Sequence, residues 1–127
     1  MADVLKPTIL IVDDDDTVRD SLKVLLEIRG FGVIDFPSGR SFLAGRDGKE
    51  CGCILLDVHM PEMTGLDVMK ALREAGDRTP VVLITGRSDS LVEAKAESYG
   101  AIAVLDKPIA HSCLFAAIER ALSIPSN

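Results

Sequence analysis

Apolar residues fall along this chain in short unbroken runs and in longer stretches of helical spacing, and the two alternate from end to end. Thr8-Ile9-Leu10-Ile11-Val12 is β-branched and apolar without polar interruption, the pattern of a strand buried on both faces. It stops at Asp13-Asp14-Asp15-Asp16, after which Val18, Leu22, Leu25, Leu26 and Arg29 recur at helical spacing until Gly30. Residues 31–36 predict a second strand, and Pro37-Ser38-Gly39 opens a weaker helix through Phe42 and Leu43 that frays over Gly45-Arg46-Asp47-Gly48. Cys53-Ile54-Leu55-Leu56 predicts a third strand that ends abruptly in Asp57 and then in a loop punctuated by Pro61 and Gly65. Leu66, Met69, Leu72 and Arg73 form the next helical face, ended by Gly76. Residues 80–84 predict a fourth strand stopping at Thr85-Gly86, 91–99 a helix closed by Gly100, and 102–105 a fifth strand stopped by Asp106-Lys107-Pro108. Leu114, Phe115, Ile118, Ala121 and Leu122 mark a last helix. There is no repeat, and only the first seven and last few residues read as tails.

Five short apolar strands, each followed by a helical pattern, predict an α/β fold: one doubly wound, five-stranded parallel sheet with helices on both faces. Composition does not order the strands, but polar residues end four of them: Asp13 and Asp14 after the first, Asp57 after the third, Thr85 after the fourth and Lys107 after the fifth. The second strand lacks one. If the first and third strands are neighbours at a switch point and the second lies at the edge, order 2-1-3-4-5, these side chains converge at one end of the sheet.

At 127 residues and 47% apolar composition the chain fits a single domain, residues 1–127, with its core over about 8–122. The net charge of -6 and the dispersal of the 14 Lys and Arg argue against nucleic-acid binding by this segment. Cys51, Cys53 and Cys113 are odd in number and lack metal-ligand spacing, as expected of a reduced, cytoplasmic chain. Nothing resembles a secretory signal, and no segment approaches the roughly 18 apolar residues of a membrane span.

Asp57 is the residue around which this pattern is arranged, because in open α/β sheets ligands bind just past the carboxyl ends of the strands. A carboxylate there can attack phosphorus and form an acyl phosphate, provided a cation and a positive side chain neutralise the phosphoryl oxygens. Asp13, Asp14 and Asp57 within about 5 Å of one another would repel by several kcal/mol per pair at an effective dielectric near 20. A magnesium ion, with manganese as the alternative, removes that penalty and suits two carboxylates, a backbone carbonyl and a phosphoryl oxygen. The Lys107 ammonium can take up charge on the phosphoryl group, and the Thr85 hydroxyl can donate to it.

The chain resembles the receiver domains of two-component response regulators, which are flavodoxin-like. The resemblance covers about residues 8–122 and is carried by Ile11-Val12-Asp13-Asp14, Leu56-Asp57-Val58-His59-Met60-Pro61-Glu62-Met63-Thr64-Gly65, Ile84-Thr85-Gly86 and Asp106-Lys107-Pro108, in the family's order and spacing. The run before Asp13 and Val82-Leu83-Ile84-Thr85-Gly86 resemble the FixJ-type subgroup most. The resemblance implies that Asp57 is the phosphoacceptor, Asp14 a direct metal ligand, Asp13 a partner of metal-bound water and the His59 backbone carbonyl a further ligand. It implies that Thr85 and Lys107 contact the phosphoryl group and that the Lys107-Pro108 bond is cis. The phosphoryl group would come from a sensor histidine kinase or a small donor, the domain would catalyse its own phosphorylation and dephosphorylation, and an effector domain would be fused or separate. Whether phosphorylation also creates a homodimer stays open. One departure is Val104, where the family usually carries Tyr or Phe that swings inward as the threonine moves. His59 and Arg87 lie where the family tunes hydrolysis of the acyl phosphate.

Plainer roles compete at several positions. Asp15 and Asp16 read as helix N-cap and first-turn acids, the side chains of His59 and His111 as surface residues, and Met60 and Met63 as packing residues. Two rival functions remain. Asp13-x-Asp15-x-Thr17 after an apolar strand mimics a haloacid-dehalogenase-type phosphatase, although Asp57 would then go unused and the late acidic pair is missing. The missing aromatic at 104 allows a pseudo-receiver that binds a partner without phosphoryl chemistry.

Overall fold

The computed structural model describes residues 6–46 and 51–124, so the tails at 1–5 and 125–127 and the fraying predicted at Asp47 and Gly48 lie outside it. Each apolar run becomes a strand and each helical stretch a helix. The order is β1 (Thr8–Val12), α1 (Asp16–Ile28), β2 (Gly32–Phe36), α2 (Gly39–Gly45), β3 (Cys53–Asp57), α3 (Gly65–Glu74), β4 (Val81–Thr85), α4 (Ser90–Ser98), β5 (Ala103–Asp106) and α5 (His111–Leu122). The strands are parallel in the order β2-β1-β3-β4-β5, as expected from the sequence, so the chain reverses direction across the sheet between β1 and β3. Strands 4 and 5 begin one residue later than predicted and run on through Thr85 and Asp106, which pair in register; the Lys107 N–H then donates to the Thr85 carbonyl at 2.8 Å.

The unbroken apolar runs are explained by two cores, one on each side of the sheet. Ile9, Ile11, Leu55, Val82 and Ile84 pack against α1 and α5 through Leu22, Leu26, Leu114 and Ile118. Their neighbours in sequence, Leu10, Val12, Ile54, Leu56, Val81 and Leu83, point the other way, to Phe42, Val68, Met69, Leu72, Val92 and Ala96 of α2, α3 and α4. Alternation of side chains along a strand makes both cores compulsory, and each fully buried aliphatic side chain contributes roughly 1.5–3 kcal/mol. The edge strand β2 is only half-buried and tolerates a charge at Asp35.

Local chemistry sets the helix ends. Asp15 caps α1 by accepting the N–H groups of Thr17 and Val18, and Thr64 with Asp67 forms a reciprocal capping box at α3. Among the described residues no helix is long and apolar enough to cross a membrane.

Candidate functional site

The switch point between β1 and β3 carries the acids. Asp13 is the first residue past β1, and its N–H adds one more rung to the sheet by donating to the Phe36 carbonyl at 3.2 Å. Asp57 closes β3, and the Val58 N–H beyond it still pairs with the Ile84 carbonyl at 2.8 Å. The strand ends are therefore held as firmly as the strands. Both side chains are buried, at 1% exposure for Asp13 and 2% for Asp57, whereas Asp14 is exposed.

Gly65 lets α3 begin hard against β3. A Cβ there would collide with the Asp57 carbonyl and stand 2.9 Å from the Val58 Cα, while the Gly65 N–H donates to the Val58 carbonyl at 2.9 Å. No residue with a side chain fits that approach unless the backbone moves.

Asp13, Asp14 and Asp57 each offer a carboxylate oxygen within 4.8 Å of the others. Lys107, half-buried at the end of β5, places its Nζ 3.4 Å from Asp13 Oδ2 and 3.4 Å from Asp57 Oδ1. The ammonium is in ion-pair contact with both oxygens. Neither of these buried oxygens has a hydrogen-bond partner among the described residues. Burial, and next the charge of Asp13, push the Asp57 carboxyl up to about 6, against the opposing pull of Lys107. Burial alone would lower the Lys107 ammonium, but Asp13 and Asp57 outweigh it and hold its pKa above the usual value. The Lys107-Pro108 bond is cis.

A divalent cation fits this donor set. The oxygens are hard ligands, two of them are buried without hydrogen bonds, and the crowding that raises Asp57 is the kind a cation relieves. His59 lies two residues beyond Asp57 with its ring exposed.

Thr85, expected to face a phosphoryl group, is turned into its own loop. It is fully buried; its hydroxyl donates to the Arg87 carbonyl at 2.8 Å and accepts the Arg87 N–H at 3.0 Å. The same Arg87 carbonyl lies 3.3 Å from Nε2 of His59, so one oxygen links the loops after β3 and β4. Val104 is half-buried against the α2–α4 core. Asp15 and Asp16 take the structural roles expected of them, as N-cap and as partner of Arg19. His111 is exposed, Met60 is buried and Met63 packs against the core.

Two residues of this neighbourhood escaped the sequence reading. Arg19 of α1 reaches the Asp13 carbonyl at 2.9 Å, and Asp35 of β2 accepts its Nε at 3.0 Å. The one available signal was Asp35 itself, a charge inside an otherwise apolar run.

A flavodoxin-like sheet whose switch point holds three acids under a lysine defines a class of doubly wound proteins with an acidic crevice at the strand ends. This chain belongs to the response regulator receiver domain family, whose sequence pattern it matches over residues 9–119. Receiver domains are the switches of two-component signalling, and that coarse identity excludes the phosphatase reading, which also leaves the buried Asp57 idle. The chain is 40% identical over 116 residues to the response regulator protein TodT of Pseudomonas putida, covering 91% of this chain and 51% of TodT. It is 36% identical over 117 residues to the transcriptional regulatory protein FixJ of Bradyrhizobium diazoefficiens, covering 92% of this chain and 57% of FixJ. It thus spans about half the length of these curated relatives. The crystal structure titled FixJ-N superposes with a TM-score of 0.88 at 31% identity, covering 98% of this chain and 99% of that one.

Proposed function

We propose that this chain, with its core over residues 8–122, is a phosphoacceptor receiver domain that takes a phosphoryl group from a sensor histidine kinase onto Asp57. The observation that carries the reading is the pairing of a buried, unbonded Asp57 Oδ1 with the Lys107 ammonium 3.4 Å away. That oxygen keeps lone-pair density outside any hydrogen bond for attack on phosphorus, and the ammonium beside it stands where it can neutralise the incoming phosphoryl oxygens.

Asp14 and Asp57 directly, Asp13 through a bound water, and the His59 backbone carbonyl would hold a magnesium or manganese ion, which when bound supplies neutralisation of the phosphoryl oxygens. In the transfer, an Asp57 carboxylate oxygen forms the new bond to phosphorus as the bond to the donor's imidazole nitrogen breaks. The electron pair leaves with the imidazole, and the product is an acyl phosphate. Lys107 follows the charge, from the carboxylate pair to the phosphoryl oxygens. For Thr85 to donate there, its hydroxyl must release the Arg87 carbonyl, which leaves that oxygen to His59 alone. Phosphorylation would thereby loosen the loop over residues 86–89. With Val104 in the place of an aromatic side chain, this loop is the readout nearest the site. His59 and Arg87 lie at the positions where the family tunes hydrolysis of the acyl phosphate and would set its lifetime. The output would pass to a fused or separate effector domain, or to a homodimer formed on phosphorylation.

Incubation of the purified chain with acetyl phosphate and magnesium, followed by intact mass measurement, tests the chemistry. One phosphoryl mass is expected, and it should vanish in Asp57→Ala. An unchanged mass, or an adduct that survives the substitution, overturns the reading; the former result would leave a pseudo-receiver.

A further inference from the structure

Arg19 lies near the start of α1 with its side chain only 13% exposed, and every branch of its guanidinium meets an acceptor. Nη1 donates to the Asp13 backbone carbonyl at 2.9 Å, Nε to Asp35 Oδ2 at 3.0 Å, and Nη2 to Asp16 Oδ1 at 2.6 Å. These acceptors belong to three different pieces of the chain: the end of β1, the edge strand β2 and the first turn of α1.

The consequence falls on Asp13, all but one of whose polar groups have protein partners. Its N–H bonds the Phe36 carbonyl at 3.2 Å, its carbonyl receives Arg19, and its Oδ1 receives the Asp15 N–H at 2.9 Å. Oδ2 is left over, buried and without a hydrogen bond among the described residues, in ion-pair contact with Lys107. Three anchors on one residue leave its side chain little freedom, so the direction of Oδ2 is set before any ligand arrives.

We propose that Arg19 is a positioning residue for divalent-cation binding: it fixes the Asp13 backbone from the α1 side so that Oδ2 faces the shared acidic pocket, and Asp35 orients Arg19. This rests on the reading that Asp13, Asp14 and Asp57 hold a cation. The residue type fits, because a planar guanidinium can bond three acceptors in fixed directions and a lysine ammonium cannot do so at the same reach. The role also explains the charge on β2, which faces Arg19 and stands 4.0 Å from Lys23.

The sign of the effect separates positioning from charge. Arg19 is a cation beside a cation site, so its electrostatic influence alone would weaken metal binding, and its removal would tighten it. Positioning predicts the opposite. Titration of magnesium into the full chain by calorimetry, with thermal melts in parallel, is the test. Arg19→Gln should weaken magnesium binding by on the order of tenfold. Arg19→Lys keeps the charge and loses the fork, and should weaken binding in the same direction even where folding is unaffected. Unchanged or tighter binding in both variants while the wild type binds overturns the inference alone, including the case in which only the melting temperature falls. A wild-type chain that binds no magnesium removes the cation reading as well.

Discussion

Asp57 is buried where a carboxylate is least comfortable, and its carboxyl is pushed up to about 6 from an ordinary 3.8, first by burial and then by Asp13. A raised acid disfavours folding when ionised: the penalty is full above the folded value and disappears as pH falls below the ordinary one. The gap corresponds to about 3 kcal/mol. In magnesium-free buffer Asp57→Asn should therefore melt higher than the wild type at about pH 7, with the difference closing towards about pH 4. Melts across that range check it, and a constant difference would assign the effect to packing. Gly65 has no such freedom. Gly65→Ala should cost roughly 1–3 kcal/mol through forced separation of β3 and α3, read from denaturant midpoints. At this scale Asp13, Asp14, Asp57 and Lys107 were visible in the sequence because each sits where an apolar run stops. Arg19 was hidden among the polar positions of an amphipathic helix, and its link to Asp35 spans 16 residues that only the packing of α1 on β1 and β2 closes.

Among the helices, α3 and α4 flank the site on the same face of the sheet with unequal anchorage. Helix α3 buries Gly65, Val68, Met69 and Leu72 behind a capping box, while α4 buries Val92 and Ala96 behind a single Asp89 cap. Local opening follows buried apolar contact, so amide hydrogens of α4 should exchange faster than those of α3, as mass-resolved hydrogen exchange would record. Equal protection would mean that α4 is held by more than its side chains. Thr85 was also expected from its place at a strand end, yet its hydroxyl partner was not, because the fold of the loop over 85–87 decides it.

Across the whole molecule, the acidic crevice exists only where packing has brought the ends of β1, β3 and β5 together, so a ligand there binds the folded state alone. Magnesium at about 100 times its dissociation constant should stabilise the chain by about 2.7 kcal/mol. Chelation should reverse the rise in melting temperature, and Asp14→Asn should abolish most of it. A shift that survives this substitution would place the cation elsewhere.

The sequence alone determined the fold class and the acids and lysine at the strand ends, whereas the order 2-1-3-4-5 rested on taking the first and third strands as neighbours at a switch point. The fold class and those residues follow from unbroken apolar runs, from helical spacing of about 3.6 and from where each run breaks, which are local properties of the chain. The tertiary structure alone decided that Thr85 bonds its own loop, that burial and Asp13 raise Asp57, and that Arg19 ties Asp13 to the edge strand. The last two depend on distances between elements remote in sequence, which exist only after packing has chosen which faces meet, and the first on the path the loop takes once β4 is fixed in the sheet.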